Sequence, residues 1–277
     1  MSTEPHQDFR RAIDGPEDKI DLGSAALTMV ISEYPNLDVK EYLTRLDRIG
    51  VAVSRRLGEE ITVYRVIAAI NCVLFNDLGF KGNRENYYDP KNSFLNEVIE
   101  RKTGIPITLS LLYMEVAERV GLALQGVGFP GHFLVKYPAQ SDDLVIDPFN
   151  TGEIRSRESL QKMLRGLYGD KVEFQPSFLL AVTKKQILKR ILNNLKLIYF
   201  KANDLWRTLS VMQRLVILEP DSAEEIRDRG LVYLKLECFR QALSDLENYL
   251  SLAPDAADKT AIKEQIVRLT KQVQVLH

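Results

Sequence analysis

Nucleophilic and metal-binding side chains are scarce in this chain, which has two cysteines and three histidines among 277 residues. Cys72 and Cys238 stand far apart, each in an apolar helical pattern, so buried free thiols are expected rather than a disulfide or a reactive site. His6 and His277 lie near the ends, no group has zinc-ligand spacing, and no metal or other cofactor is expected. Net charge is also nearly absent: 37 basic residues meet 38 acidic ones, which leaves no global field for nucleic acid or an anionic membrane. No segment approaches the roughly 18 to 20 apolar residues that cross a bilayer, and Met1 to Asp8 lacks the apolar stretch of a secretory signal. A soluble, cytoplasmic protein with neither a nucleic-acid nor a membrane partner is the expectation.

The hydrophobic content of 45% and the length suffice for one large domain with a smaller one, or two of roughly 100 to 170 residues. Residues 38 to 57 read as a helix, with Asp38 as cap, Glu41 three positions on, and Tyr42, Leu46, Ile49 and Val53 at helical spacing. Thr62 to Leu78 repeats that form up to Gly79. Two such apolar stripes must pack on each other and on the elements next in the chain. Phe80 to Asn92 is a polar, aromatic loop, after which Ser93 caps a short helix running through Lys102. A stronger helix begins at Pro106, which suits a first helical position, and ends before Gly121.

Leu122 to Phe129 and Gly131 to Tyr137 then read as strands, and Pro138 to Asp142 turns the chain onto Leu144 to Asp147. Counting back from a four-residue loop, 137 pairs with 142 and 132 with 147, so His132 and Asp147 share a face. An imidazole held by a carboxylate is the orienting half of a nucleophilic triad, and it serves equally as a charged donor. Glu97, Asn83, Tyr87 and Tyr88 are candidates to line the same cleft, because tyrosines and amides suit peptide recognition.

Beyond Ser159 the chain reads as helical with an internal period of 34: Val216 to Ser222 is answered by Leu250 to Ala256, and Leu197, Tyr199 and Leu209 by Leu231, Tyr233 and Leu243. The spacing resembles the tetratricopeptide repeat. Gly230 and Ala242 are small where paired helices meet, whereas the first copy has Lys196 and Thr208, which predicts helices set farther apart or rotated.

The order helix, strand, histidine strand, aspartate strand resembles the transglutaminase-like branch of the papain-type fold. More closely, Asn92 to Val98, Gly104 to Ser110, Gly128 to Val135 and Ile146 to Phe149 resemble the SirB1 family over nearly the whole chain. The resemblance implies an α+β fold: a helical N-terminal part and a transglutaminase-like core with a small antiparallel sheet over 1–180, then tetratricopeptide-like repeats over 181–277. The transglutaminase-like resemblance also implies that Pro106 stands where that branch carries its cysteine, so that thiol acyl transfer is lost. The expected function is a non-catalytic binding or regulatory protein with a protein or peptide partner, Pro106, His132 and Asp147 belonging to its cleft. The alternative is an amide or peptide hydrolase or acyl transferase in which His132 and Asp147 activate a hydroxyl, Ser110 first and Thr108 second.

Overall fold

The computed structural model describes residues 6–59, 61–139 and 143–275. The chain divides into two compact units, Met1–Ile191 and Leu192–His277.

The first unit opens with helices α1 (Gln7–Ala12), α2 (Leu22–Thr28), α3 (Val39–Ser54) and α4 (Val63–Asn71). Asp38 caps α3 by accepting from the Lys40 and Glu41 amides, and Thr62 caps α4 through the Arg65 amide. The helix expected to continue to Leu78 instead widens into a π-helical turn over Cys72–Asp77. Strand β1 (Lys81–Gly82) pairs in parallel with β2 (Thr103–Gly104), and between them lie a 3-10 turn at Pro90–Ser93 and α5 (Leu95–Arg101).

Ser93 does not cap α5. Asp89 caps the Pro90 turn through the Lys91 amide, and this turn takes up Ser93 and leaves Phe94 at the cap of the helix. Nor does the helix include Lys102, which closes it in the left-handed region at φ 55°.

Helix α6 (Pro106–Arg119) is buried on nearly every side, as a helix in the centre of a core must be. It contacts α2, α3, α4 and α5, so the apolar stripes of α3 and α4 do find one another and a shared core. Its single buried acid, Glu115, pairs with Arg119 at 2.8 Å. Glu115 sits against Gly23 so closely that a Cβ there would come within 2.4 Å of its carboxylate.

The sheet consists of β3 (Gln125–Val127), β4 (Leu134–Tyr137), β5 (Leu144–Asp147), β6 (Glu153–Arg155) and β7 (Ala181–Val182), ordered β6-β5-β4-β3-β7 and antiparallel throughout. The strands are shorter than the apolar runs suggest, because Pro130 and Gly131 occupy a turn rather than a ladder. Tyr137 pairs with Leu144 and Val135 with Ile146, two residues from the expected register. The loop residues 140–142 lie outside the described residues, as does His277. Leu160 and Leu164 of α7 (Arg157–Tyr168) pack with Val127, Leu134 and Val145 in one apolar cluster.

Helix α8 (Lys184–Lys201) carries the chain from the first unit into the second. There α9 (Leu205–Leu218), α10 (Ala223–Lys235), α11 (Phe239–Leu252) and α12 (Lys259–Val275) form helix-turn-helix repeats. Gly230 is needed at its close approach, since a Cβ would lie 3.1 Å from Leu246 and from Asp245. In the first copy, Lys196 instead bonds Glu225 and Asp228, and Thr208 is fully buried. A groove of about 420 Å³ opens at these two residues, with Leu197, Phe200, Leu231 and Lys235 among its walls. Cys72 and Cys238 are free and partly exposed rather than buried, and Cys238 precedes α11 instead of lying within it.

Candidate functional site

His132 lies in a bend just before β4, not within the strand. Its amide donates to the Phe129 carbonyl at 3.0 Å, closing a turn in which Gly131 takes φ 68°. Glycine is favoured there by the left-handed backbone, in which an added Cβ would also meet the tip of the Leu167 side chain at 2.8 Å. From this turn the imidazole reaches Asp147, with Nε2 2.9 Å from Oδ1. The ladder pairs only 135–137 with 144–146, so the contact is made by the bend that carries His132 and not by strand pairing.

Asp147 ends β5 and is completely buried. Its Oδ1 also accepts from the Asn150 amide at 3.3 Å. Oδ2 takes the Asn150 side-chain amide at 2.6 Å and two bonds from Arg155, Nε at 3.1 Å and Nη2 at 2.8 Å. Burial by itself raises the carboxyl pKa, but the donors of His132, Asn150 and Arg155 outweigh it and bring the group down to about 2. The carboxylate is therefore ionised at neutral pH and can only accept. Nε2 of His132 must carry the shared proton, which leaves Nδ1 as the base of a neutral ring or a second donor of a charged one. Phe149 bounds the ring edge-on, with centroids 5.8 Å apart.

The hydroxyls of α6 are engaged elsewhere. Pro106 is buried at the first helical position. Thr108 Oγ1 accepts from the Ile105 amide at 3.1 Å and donates to the Asn92 carbonyl at 2.7 Å, which makes it a helix cap and a tie to the preceding loop. Ser110 Oγ, fully buried, donates to the Phe133 carbonyl at 3.4 Å. Neither hydroxyl bonds His132.

Of the other residues expected in the cleft, Asn83 works inside its own loop: its Oδ1 accepts the Asn86 amide at 2.9 Å and its Nδ2 donates to Asn92 at 3.1 Å. Glu97 faces Lys91 at 4.0 Å. Tyr87 and Tyr88 are exposed and stack edge to face at 5.3 Å.

Arg155, Asn150 and Arg190 do contact the pair and were not foreseen. Asn150 lies three residues past Asp147 in a 3-10 turn, and Arg155 returns on the strand paired with β5, so both had a local signal in the Asp-Pro-Phe-Asn-Thr-Gly turn. Arg190 had none, as it lies 58 residues beyond the carbonyl that it binds. Among the described residues no cluster of three His, Cys, Asp or Glu side chains could hold a metal ion, and no helix is long and apolar enough to cross a membrane.

Residues 40–193 match the transglutaminase-like superfamily and residues 195–267 match the tetratricopeptide repeat. Similar proteins include a UPF0162 protein of Xylella fastidiosa (strain 9a5c), 39% identical over 92% of both chains. A UPF0162 protein of Vibrio cholerae is 31% identical over 73% of this chain and 75% of its own. Protein SirB1 of Salmonella typhimurium is 26% identical over 91% of this chain and 93% of its own. With a buried helix, an antiparallel sheet and a histidine-aspartate pair joined to paired helices, the chain belongs to the transglutaminase-like superfamily and carries a tetratricopeptide repeat region after that domain.

Proposed function

We propose that this is a non-catalytic binding protein of the cytoplasm, SirB1-like in kind, whose transglutaminase-like domain (1–180) and repeats (181–277) both serve protein or peptide recognition. The start of α6 supports this most. Pro106 stands where the resemblance places the cysteine, and an amide nitrogen in a ring cannot attack a carbonyl. The nearest hydroxyls along the helix, Thr108 and Ser110, already donate to backbone carbonyls. The His132–Asp147 pair then acts as a polar contact: the carboxylate holds Nε2 and leaves Nδ1 to bond a ligand. In the repeats, the groove beside Phe200 and Leu231 is lined mainly by apolar side chains, and its Lys196 is already paired with Glu225 and Asp228, a composition suited to an apolar peptide segment.

The 2.9 Å contact between His132 and Asp147 favours a second reading, an amide or peptide hydrolase or acyl transferase using a hydroxyl nucleophile. It requires Ser110 to leave the Phe133 carbonyl and approach Nδ1. Fluorophosphonate labelling separates the two. The binding reading expects no labelling of the wild type, together with a partner retained by immobilised wild type and lost by the His132→Ala/Asp147→Ala protein. Labelling that vanishes in Ser110→Ala or His132→Ala protein would establish the enzyme instead.

A further inference from the structure

Arg190 approaches the His132 turn from α8. Its Nη2 donates to the His132 carbonyl at 2.7 Å, and its guanidinium carbon lies 5.4 Å from the centre of the Phe133 ring. These contacts occupy one N–H and one face of a planar group that has five N–H donors. No carboxylate among the described residues pairs with it, in contrast to Arg155, whose charge is met by Asp147. Burial lowers the Arg190 pKa, as expected for a charge held partly out of water without a counter-ion.

Two phenols come within electrostatic reach of this guanidinium, Tyr87 from the loop after β1 and Tyr168 from the last residue of α7. The Tyr168 hydroxyl crowds the same turn, 3.1 Å from where a Cβ on Gly131 would stand. Tyr87 is 39% exposed and Tyr168 is 51% exposed, so the cluster opens to solvent.

We propose that Arg190, Tyr87 and Tyr168 form a subsite for a carboxylate, set beside His132. The guanidinium fork accommodates two carboxylate oxygens at once, each phenol can donate a further bond, and the tyrosine rings wall the residue that bears the acid. The carboxylate comes either from a peptide C-terminus or from an acidic side chain. This proposal deepens the non-catalytic binding reading and rests on it only in taking this face to hold a ligand.

The test is a titration of the 15N-labelled full chain, monitoring the Arg190 Nε–H and His132 amide signals. Four probes are added to millimolar concentration: the tetrapeptide Ala-Ala-Phe-Ala as free acid, its C-terminal amide, the same amide with Glu in place of Phe, and inorganic phosphate. Saturable shifts with either acid and none with the neutral amide are expected, and the acid that acts identifies the source of the carboxylate. Arg190→Gln should abolish the shifts. Because that change also removes the bond to the His132 carbonyl, the Tyr87→Phe/Tyr168→Phe protein is the second variant, and it should bind about tenfold more weakly with its rings intact. Equal shifts with the neutral amide, a response to phosphate alone, or silence with all four probes would overturn the subsite. Labelling of a nucleophile would remove the non-catalytic reading and leave this titration unchanged, so the two failures are distinguishable.

Discussion

Arg155 holds Asp147 by two bonds to the same carboxylate oxygen, Nε at 3.1 Å and Nη2 at 2.8 Å, which leaves Oδ1 for the imidazole of His132. The carboxylate at this position is thus fixed by the neighbouring strand before any ligand arrives, and the electrostatics of the site are set by that clamp.

Acid should weaken the fold through this group. Its carboxyl is lowered from an ordinary value near 3.8 to about 2, so the stabilisation is complete above the unfolded pKa and is lost as pH falls through the folded one. About 2 kcal/mol should disappear between roughly pH 4 and pH 2. Urea unfolding at a series of pH values checks this. Asp147→Asn should be a few kcal/mol less stable at pH 7 because the buried anion that meets Arg155 and His132 is lost and Arg155 keeps only the more exposed Glu153 at 3.1 Å, and the gap from wild type should narrow towards pH 2.

Gly152→Ala should cost about 2 to 4 kcal/mol, from left-handed strain plus overpacking. Gly152 sits at φ 73°, and a Cβ there would lie 1.9 Å from Asn71 Oδ1, the atom that accepts from the buried Tyr113 hydroxyl. Asn71 in turn donates to the Gly152 carbonyl at 3.0 Å, so the turn after Asp147 cannot simply move aside. Thermal or urea unfolding measures the loss, and a change below about 0.5 kcal/mol would contradict this packing.

The two hydroxyls of α6 should separate in a stability assay. Thr108→Val removes a cap and a buried tie to Asn92, and should cost about 1 to 3 kcal/mol. Ser110→Ala gives up one long bond of 3.4 Å and should cost about 1 kcal/mol or less. The reverse order would show that Ser110 carries more than its contact with Phe133.

Pro106→Cys, in a background with Cys72 and Cys238 changed to Ser, places a thiol at the first position of α6. If that position corresponds to the family's cysteine, alkylation by iodoacetamide should titrate below the ordinary thiol pKa of about 8.5. His132→Ala should return it towards that value. A thiol with ordinary titration in both proteins would mean that the pair and the helix start are out of register.

Much of this architecture is legible locally. The Asp38 cap of α3, the start of α6 at Pro106 and the 34-residue period each depend on neighbours in the chain, where capping geometry and helical spacing act. Ser93 misleads because the Asp89–Pro90 pair nucleates a competing turn four residues earlier. The widening of the helix at Cys72 has no composition signal, since the apolar stripe continues through it. The hairpin register differs by two because six residues, not four, separate the paired Tyr137 and Leu144, yet His132 and Asp147 still meet.

The amino-acid order by itself determined the main helices, the hairpin that carries His132 and Asp147, and the proline at the head of α6, because capping, sterics and periodicity act between near neighbours. Tertiary structure decided that Arg155 clamps the carboxylate, that Ser110 spends its hydroxyl on the Phe133 carbonyl, and that Arg190 reaches the His132 turn. Those are contacts between distant segments, and their energies exist only once packing has excluded water and set the donors in place.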